Sequence, residues 1–381
     1  MGGIKKVLSL LTREWCKECK IHIVSFAPIG THYEIFGKST QHIFPNFNNI
    51  LSDENIYFLS QIIQHEKIDI IFHPFTMNNE LTKLCVRVKQ KENIKLISAI
   101  HFSITYKTDL IKNSFFNKYR LGYNPIKWAV DLLLYCKYYI ITRQKVYNEY
   151  RSTYRYLIKN SDKVVVLSYD SAQTIKRIAQ IDKKEENKIS YINNPVLIQN
   201  EEIPNKKNKI IWCGRLDFAA KRVDRIIDIW KTVTTKNPKW ELIVIGDGNL
   251  EYFKKIAKKQ HIDNIKFVGS CDPFDYYKDG AIFCLTSTSE GWPMVLMEAL
   301  SMECIPIAYN SFATAAEIIR NNNGVLVTPF NKQEYIDKLQ TLISDGKFRE
   351  LLKSNCRESI KAYSHEIIVN KWMKLFIEVT R

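Results

Sequence analysis

The chain has 381 residues, 45% of them hydrophobic and 25% charged, and 56 Lys and Arg against 40 Asp and Glu give a formal net charge of +16. That length exceeds what one hydrophobic core usually serves, so two domains are expected, and the composition excludes a disordered or fibrous protein. The positive balance points to an anionic partner: nucleic acid, a phosphorylated substrate or an acidic membrane surface.

The elements follow in chain order. After Met1-Gly2-Gly3, Ile4–Trp15 reads as a helix with Val7, Leu8 and Leu11 on one face. Short β-rich apolar runs come next: Ile21–Phe26, Ile68–Phe72, Leu96–Ile100 and Lys163–Leu167. Amphipathic stretches separate them, among them Glu54–Glu66 and Asn78–Lys91. Such alternation predicts an α/β fold with a parallel sheet covered on both faces. Nine cysteines show no repeated spacing. Cys16 and Cys19 form a C-x-x-C on the end of the first expected helix, without a second pair at zinc spacing. The odd count and the lack of a signal-peptide pattern favour a reducing cytoplasm.

Between His101 and Asp162 the alternation breaks. Ten of the 20 tyrosines lie in Thr105–Asn160, among many Lys and Arg. Basic helices rich in aromatics suit an anionic membrane surface. The same segment reads equally as a helical insertion whose tyrosines pack on the domain. The longest apolar run, Trp128–Ile141, carries Asp131 and Lys137 and is too short to span a bilayer.

Tyr191–Val196, YINNPV, closes the first half, and the polar Glu201–Lys209 reads as a linker. A second alternating series follows. Its expected strands are Ile210–Cys213, Leu242–Ile245, Ile265–Val268, Ala281–Leu285, Ile305–Ala308 and Val325–Val327. Helices fit Val223–Val233, Leu250–Lys259, Met294–Met302 and Thr314–Ile319, with short connections as in doubly wound sheets. Pro293 suits the first position of its helix. Near the end Ser364 is a candidate cap, and Ile368, Trp372, Leu375 and Val379 recur at helical spacing.

Two constellations carry chemistry. Gly214-Arg215-Leu216 follows the first strand of the second half, with Lys221 six residues after Arg215. Two cations between a strand end and a helix start lie where parallel sheets bind ligands, and Arg forks onto phosphate oxygens. In isolation they would be ordinary surface cations. The second constellation is a strand, a polar turn and a helix entry holding Glu290, Gly291, Trp292, Pro293 and Glu298. A helix N-terminus favours anions and polar ligands, and two carboxylates at different heights suit an extended polar molecule.

The run E-G-W-P-M-V-L-M-E resembles the E-x7-E signature of retaining GT-B glycosyltransferases, in particular glycosyltransferase family 4. G-R-L-x4-K resembles that family's diphosphate-binding motif, and Gly246-Asp247-Gly248 its G-D-G turn. The resemblance implies two Rossmann-like domains facing a central cleft: residues 1–200 for the acceptor, 201–365 for the donor, and a last helix, 366–381, crossing back to the first. It implies that Arg215, Lys221, Gly2 and Gly3 bind the donor diphosphate. Glu290 would contact sugar hydroxyls near the reacting carbon. Glu298 would hold the ribose, and Gly246 and the backbone of Gly291, Met294, Val295 and Leu296 would face the donor. His101, at the end of KLISAI, falls where the family places a His near the transferred sugar. INNPV resembles the family's I-P-N-P-V, and NSFATAAE at Asn310–Glu317 departs from its glycine-containing turn.

The implied function is hexosyl transfer, with retention, from a nucleotide diphosphate sugar to a glycan or lipid-linked acceptor. The implied setting is cell-envelope polysaccharide or lipopolysaccharide synthesis, in the cytoplasm or on the inner face of the membrane. No metal and no resident cofactor are expected. A nucleic-acid-binding protein would show base-stacking motifs, and a Rossmann oxidoreductase would show G-x-G-x-x-G; neither is present. A nucleotide-sugar 2-epimerase of the same fold is the nearest alternative, and the paired motifs argue against it. In the family the glycine pair follows a central first strand, whereas here only Met1 precedes it. The resemblance therefore implies a natural polypeptide beginning upstream, with an apolar segment of about 5–10 residues.

Overall fold

The structure, a computed structural model, describes residues 3–27, 36–77, 79–111, 125–198 and 202–381, without the side chains of 125–138. The chain divides into two compact units. One takes in Met1–Ile104, Lys145–Pro195 and Tyr363–Arg381; the other takes in Thr105–Gln144 and Val196–Ala362. The division thus differs from the expected one in giving 105–144 to the second unit.

The first unit begins with α1 (Gly3–Trp15), whose Val7, Leu10, Leu11 and Trp15 are buried on one face. β1 (His22–Ser25) and β2 (Thr40–Ile43) pair in parallel as a sheet of two strands. α2 (Asp53–Glu66) starts where Ser52 accepts a hydrogen bond from the Asn55 amide. β3 (Ile70–Phe75), α3 (Asn79–Glu92), β4 (Lys95–Ile100), α4 (Pro125–Asn160), β5 (Lys163–Val166), α5 (Tyr169–Ala179) and β6 (Ile189–Tyr191) follow. Strands β3-β4-β5-β6 form a parallel sheet in that order. Among the described residues no strand pairs between β1 and β3. At the chain's end α13 (His365–Thr380) buries Ile368, Trp372, Leu375 and Val379. Trp15 meets Trp372 and Phe376 edge-on, with ring centroids 5.8 and 5.1 Å away.

The expected strands and helices of this unit appear, with corrections. Neither β2, TQHI, nor β6, ISY, stood out in the sequence, because each is short and carries polar residues. Cys16 to Cys19 lie in the turn after α1, not on it. Ser364 occupies the cap position of α13 without a side-chain cap bond. In α4, Tyr150 and Tyr154 are core residues, and the Tyr154 hydroxyl donates to the Ile104 carbonyl at 2.9 Å. Ile140 and Ile141 on the same helix are exposed. Among the described residues no helix is long and apolar enough to cross a membrane.

The second unit holds β7 (Lys207–Cys213), α6 (Val223–Thr234), β8 (Glu241–Ile245), α7 (Leu250–Lys259), β9 (Ile265–Gly269), α8 (Phe274–Asp279) and β10 (Gly280–Leu285). After these come α9 (Met294–Ser301), β11 (Ile305–Tyr309), α10 (Ala313–Ile318), β12 (Val325–Val327), α11 (Lys332–Ser344) and α12 (Gly346–Ile360). The six strands are parallel, in the order β12-β11-β10-β7-β8-β9. β10 is buried along its whole length, as a central strand covered on both faces must be. β7 begins at Lys207, so the expected linker ends three residues early in a strand. Strand order runs one way from β7 to β9 and the other way from β10 to β12. The reversal opens a crevice at the carboxyl ends of β7 and β10, the place where such sheets bind ligands.

Candidate functional site

Both sequence constellations fall at this crevice. Beyond β7 the chain runs beside the turn after β8: Gly214 N–H donates to the Ile245 carbonyl at 3.0 Å, and Leu216 N–H to the Asp247 carbonyl at 2.7 Å. Two glycines permit the approach. A Cβ on Gly246, at φ +149°, would stand 1.8 Å from the Gly214 carbonyl oxygen. One on Gly248, at φ +133°, would stand 2.8 Å from that of Leu216. Gly246→Ala should therefore destabilise the protein by about 2 kcal/mol through overpacking and backbone strain. Thermal melts would detect this, and an unchanged midpoint would contradict the close approach.

Asp217 then organises the loop. One carboxylate oxygen accepts from the amides of Ala219, Ala220 and Lys221 at 3.0, 2.8 and 2.9 Å. The other accepts from Arg215 Nε at 2.8 Å. Burial opposes its charge, yet Arg215 and these amides hold the carboxyl below its ordinary value. The next residue but four, Arg222, sits in the left-handed region at φ 57° as the cap of α6. Its buried guanidinium forks onto Asp224 at 2.8 and 2.8 Å, which offsets the unfavourable backbone.

The loop after β10 is stitched to this one. Thr288 N–H donates to the Ala220 carbonyl at 2.7 Å. The Thr286 hydroxyl accepts from Trp212 Nε1 at 3.0 Å and lies 3.0 Å from the Arg222 carbonyl. Arg225 reaches the Thr286 carbonyl at 3.0 Å while stacking on Phe330. The outcome is a direct contact between the two motifs: Lys221 Nζ donates to Glu290 Oε1 at 2.6 Å, and the Ser287 hydroxyl donates to the same oxygen at 2.7 Å. Ser289 donates to Asp109 at 2.7 Å, tying the neighbouring residue to the 105–111 segment.

Glu298 lies on α9, and burial, reinforced by the Glu298 carboxylate, pushes the thiol of Cys213 at the end of β7 up to about 11. Gly291, Met294 and Val295 are half-buried at the entry to α9. One expectation needs correction here. Pro293 is the residue that caps α9 and not its first helical position. The Leu296 amide donates to the Pro293 carbonyl at 3.0 Å and its side chain is fully buried, so this amide closes the helix's first turn.

The remaining candidates belong to the first unit. His101 follows β4 and is buried, with Nδ1 3.1 Å from Asn194 Oδ1. Burial pulls its pKa down to about 4, so the ring is neutral at pH 7. Gly3 is the exposed first residue of α1. Gly2 lies outside the described residues.

Residues 193–359 match the family described as Glycosyl transferases group 1. This stretch belongs to that family. The group 1 match contains Arg215, Lys221, Gly246, Glu290, Gly291 and Glu298, and stops short of His101, Gly2 and Gly3. Among curated relatives, the amylovoran biosynthesis glycosyltransferase AmsD of Erwinia amylovora is 30% identical over 44% of this chain and 47% of its own length. The chain thus spans about half the length of such relatives. Among solved structures, the apo lipopolysaccharide outer core galactosyltransferase WaaB superposes with a TM-score of 0.70 at 18% identity, covering 99% of this chain and 96% of that one. Anabaena Alr3699/HepE, solved with UDP and glucose, gives a TM-score of 0.73 at 15% identity, covering 99% and 96%. The group 1 stretch and these likenesses establish the fold class as α/β, GT-B.

Sequence reasoning passed over Asp217, Ser287, Thr286, Asn194 and Asp109. For the first three a signal existed: an acid ahead of small residues at a helix start, and the hydroxyl run Thr286–Ser289 before Glu290.

Proposed function

We propose that the protein is a retaining glycosyltransferase that moves a hexosyl unit from a nucleotide diphosphate sugar to a glycan or lipid-linked acceptor of the cell envelope. The observation that carries this reading is the Lys221–Glu290 contact at the crevice, beside Arg215. Cation and carboxylate there are matched to the two ends of a glycosyl diphosphate. AmsD, named for amylovoran biosynthesis, and WaaB, named as a lipopolysaccharide outer core galactosyltransferase, support the setting.

In this reading the donor diphosphate takes Lys221 from Glu290. Arg215, Lys221 and the start of α9 then neutralise the charge that grows on the leaving diphosphate. Glu290, released, orients sugar hydroxyls and stabilises the positive charge that develops at the anomeric carbon. The bond from that carbon to the diphosphate oxygen breaks with its electron pair going to the diphosphate. The acceptor oxygen bonds on the same face, and its proton passes to the departing oxygen. Glu298 holds the ribose, and His101, in the first unit, is kept for a sugar hydroxyl. The nucleotide sugar is a co-substrate, and the mechanism calls on no resident cofactor or metal.

Calorimetry with UDP, GDP and a panel of their sugars tests the reading. One nucleotide diphosphate should bind, and its sugar conjugate should be slowly hydrolysed or transferred. Lack of binding by every member would overturn it.

The reading extends to the membrane. The basic segment 105–160 would dock on an anionic surface, bringing the protein to a lipid-linked acceptor from the cytoplasmic side. The exposed Ile140 and Ile141 of α4 support such a face. Each cation near the surface contributes about 1 kcal/mol. Flotation should require anionic lipid and weaken with salt. Equal recovery on neutral vesicles would count against it.

A further inference from the structure

The end of β4 and the segment after β6 meet at one buried pair, His101 and Asn194. The segment is firmly placed. Ile192 N–H donates to the Val166 carbonyl at 2.9 Å, and Asn193 Nδ2 to the Leu167 carbonyl at 2.8 Å. Pro195 restricts the backbone of Asn194 itself. All three residues, 192 to 194, are buried. The backbone that carries Asn194 is therefore held in place, and the oxygen of its buried carboxamide stands 3.1 Å from His101 Nδ1.

A carboxamide oxygen carries no proton, so a hydrogen bond across that gap needs the proton on Nδ1. In a neutral ring the second nitrogen, Nε2, is then a bare acceptor. That nitrogen is buried and has no hydrogen-bond partner among the described residues. Buried polar atoms are nearly always paired, so a donor from beyond the described residues is the natural complement. His73, two residues from the end of the adjacent strand β3, makes the contrast. Its Nε2 lies 3.1 Å from the Thr82 hydroxyl, so its bonding is met within the protein.

We infer that Asn194 is a positioning residue that locks His101 with its proton on Nδ1, leaving Nε2 as an acceptor for a hydroxyl group and not for a phosphate. A lone pair repels phosphate oxygens, and only a protonated Nε2 would attract them. The inference rests on the glycosyltransferase reading for the identity of the hydroxyl, a sugar's. The lock itself does not depend on that reading.

The test is nitrogen-15 spectroscopy of the full chain labelled at histidine, with the His101 signals assigned by their loss in His101→Gln. At neutral pH His101 should show a single neutral form, with a protonated Nδ1 and an unprotonated Nε2. Asn194→Ala should shift the ring toward the form protonated on Nε2, and Asn194→Asp, which keeps an acceptor oxygen, should restore the Nδ1 proton. A wild-type spectrum with the proton on Nε2, or on both nitrogens, overturns the inference even if a variant fails to fold. So does an Nδ1 proton that is unaffected in folded Asn194→Ala. UDP and GDP calorimetry on the same sample reports separately on the catalytic reading.

Discussion

Glu290→Gln should lower turnover about 100-fold, the loss expected when a preorganised group facing transition-state charge is neutralised. Nucleotide diphosphate binding should survive or tighten. In the free protein Glu290 holds Lys221 at 2.6 Å, and the neutral amide holds it less firmly, so the ammonium is freer to meet phosphate. Gln keeps the shape of Glu and an oxygen for the Ser287 hydroxyl, so the fold should be unaffected. Glu298→Ala should behave oppositely, weakening the nucleotide because it acts at the ribose. The measurement is donor hydrolysis or transfer beside UDP and GDP calorimetry. Near wild-type kinetics in both variants would reduce the two glutamates to surface acids.

Lys221→Ala should weaken UDP or GDP more than about tenfold, because a charge-assisted hydrogen bond is worth roughly 1.5–3 kcal/mol. Uridine or guanosine, which lack phosphate, should bind nearly as before. Two effects add in the same direction. The variant removes a cation, and it leaves the largely buried Glu290 carboxylate unneutralised in the crevice, where it repels the diphosphate. Arg215 cannot substitute fully, since its guanidinium is held by Asp217 at 2.8 Å. Arg215→Ala should show the same selectivity. Unchanged diphosphate affinity in both single variants would remove the donor-site assignment.

The two predictions depend on different kinds of legibility. Lys221 and Glu290 were each visible as members of local motifs. Their contact was not, because 69 residues separate them. The same holds for His101 and Asn194, 93 residues apart. Asp217 was overlooked because its role comes from amides that converge only once the loop is folded. The Leu296 amide shows the same dependence: its bond to the Pro293 carbonyl forms only where the helix turn closes.

By itself the sequence determined the α/β class, most of the strands and helices, and the residues of the G-R-L-x4-K and E-x7-E motifs. Strands buried on both faces read as apolar runs, and helices read through their periodicity; both signals are local. Strands such as β2 and β6 escaped because a short polar run becomes a strand only when a neighbour supplies its hydrogen bonds. The tertiary structure alone decided that β7 lies beside β10, so that the loops after them share one crevice. Strand order arises from how whole βα units pack against one another, and no window of sequence contains it. That order turns two separate charged motifs into a single ion-paired site.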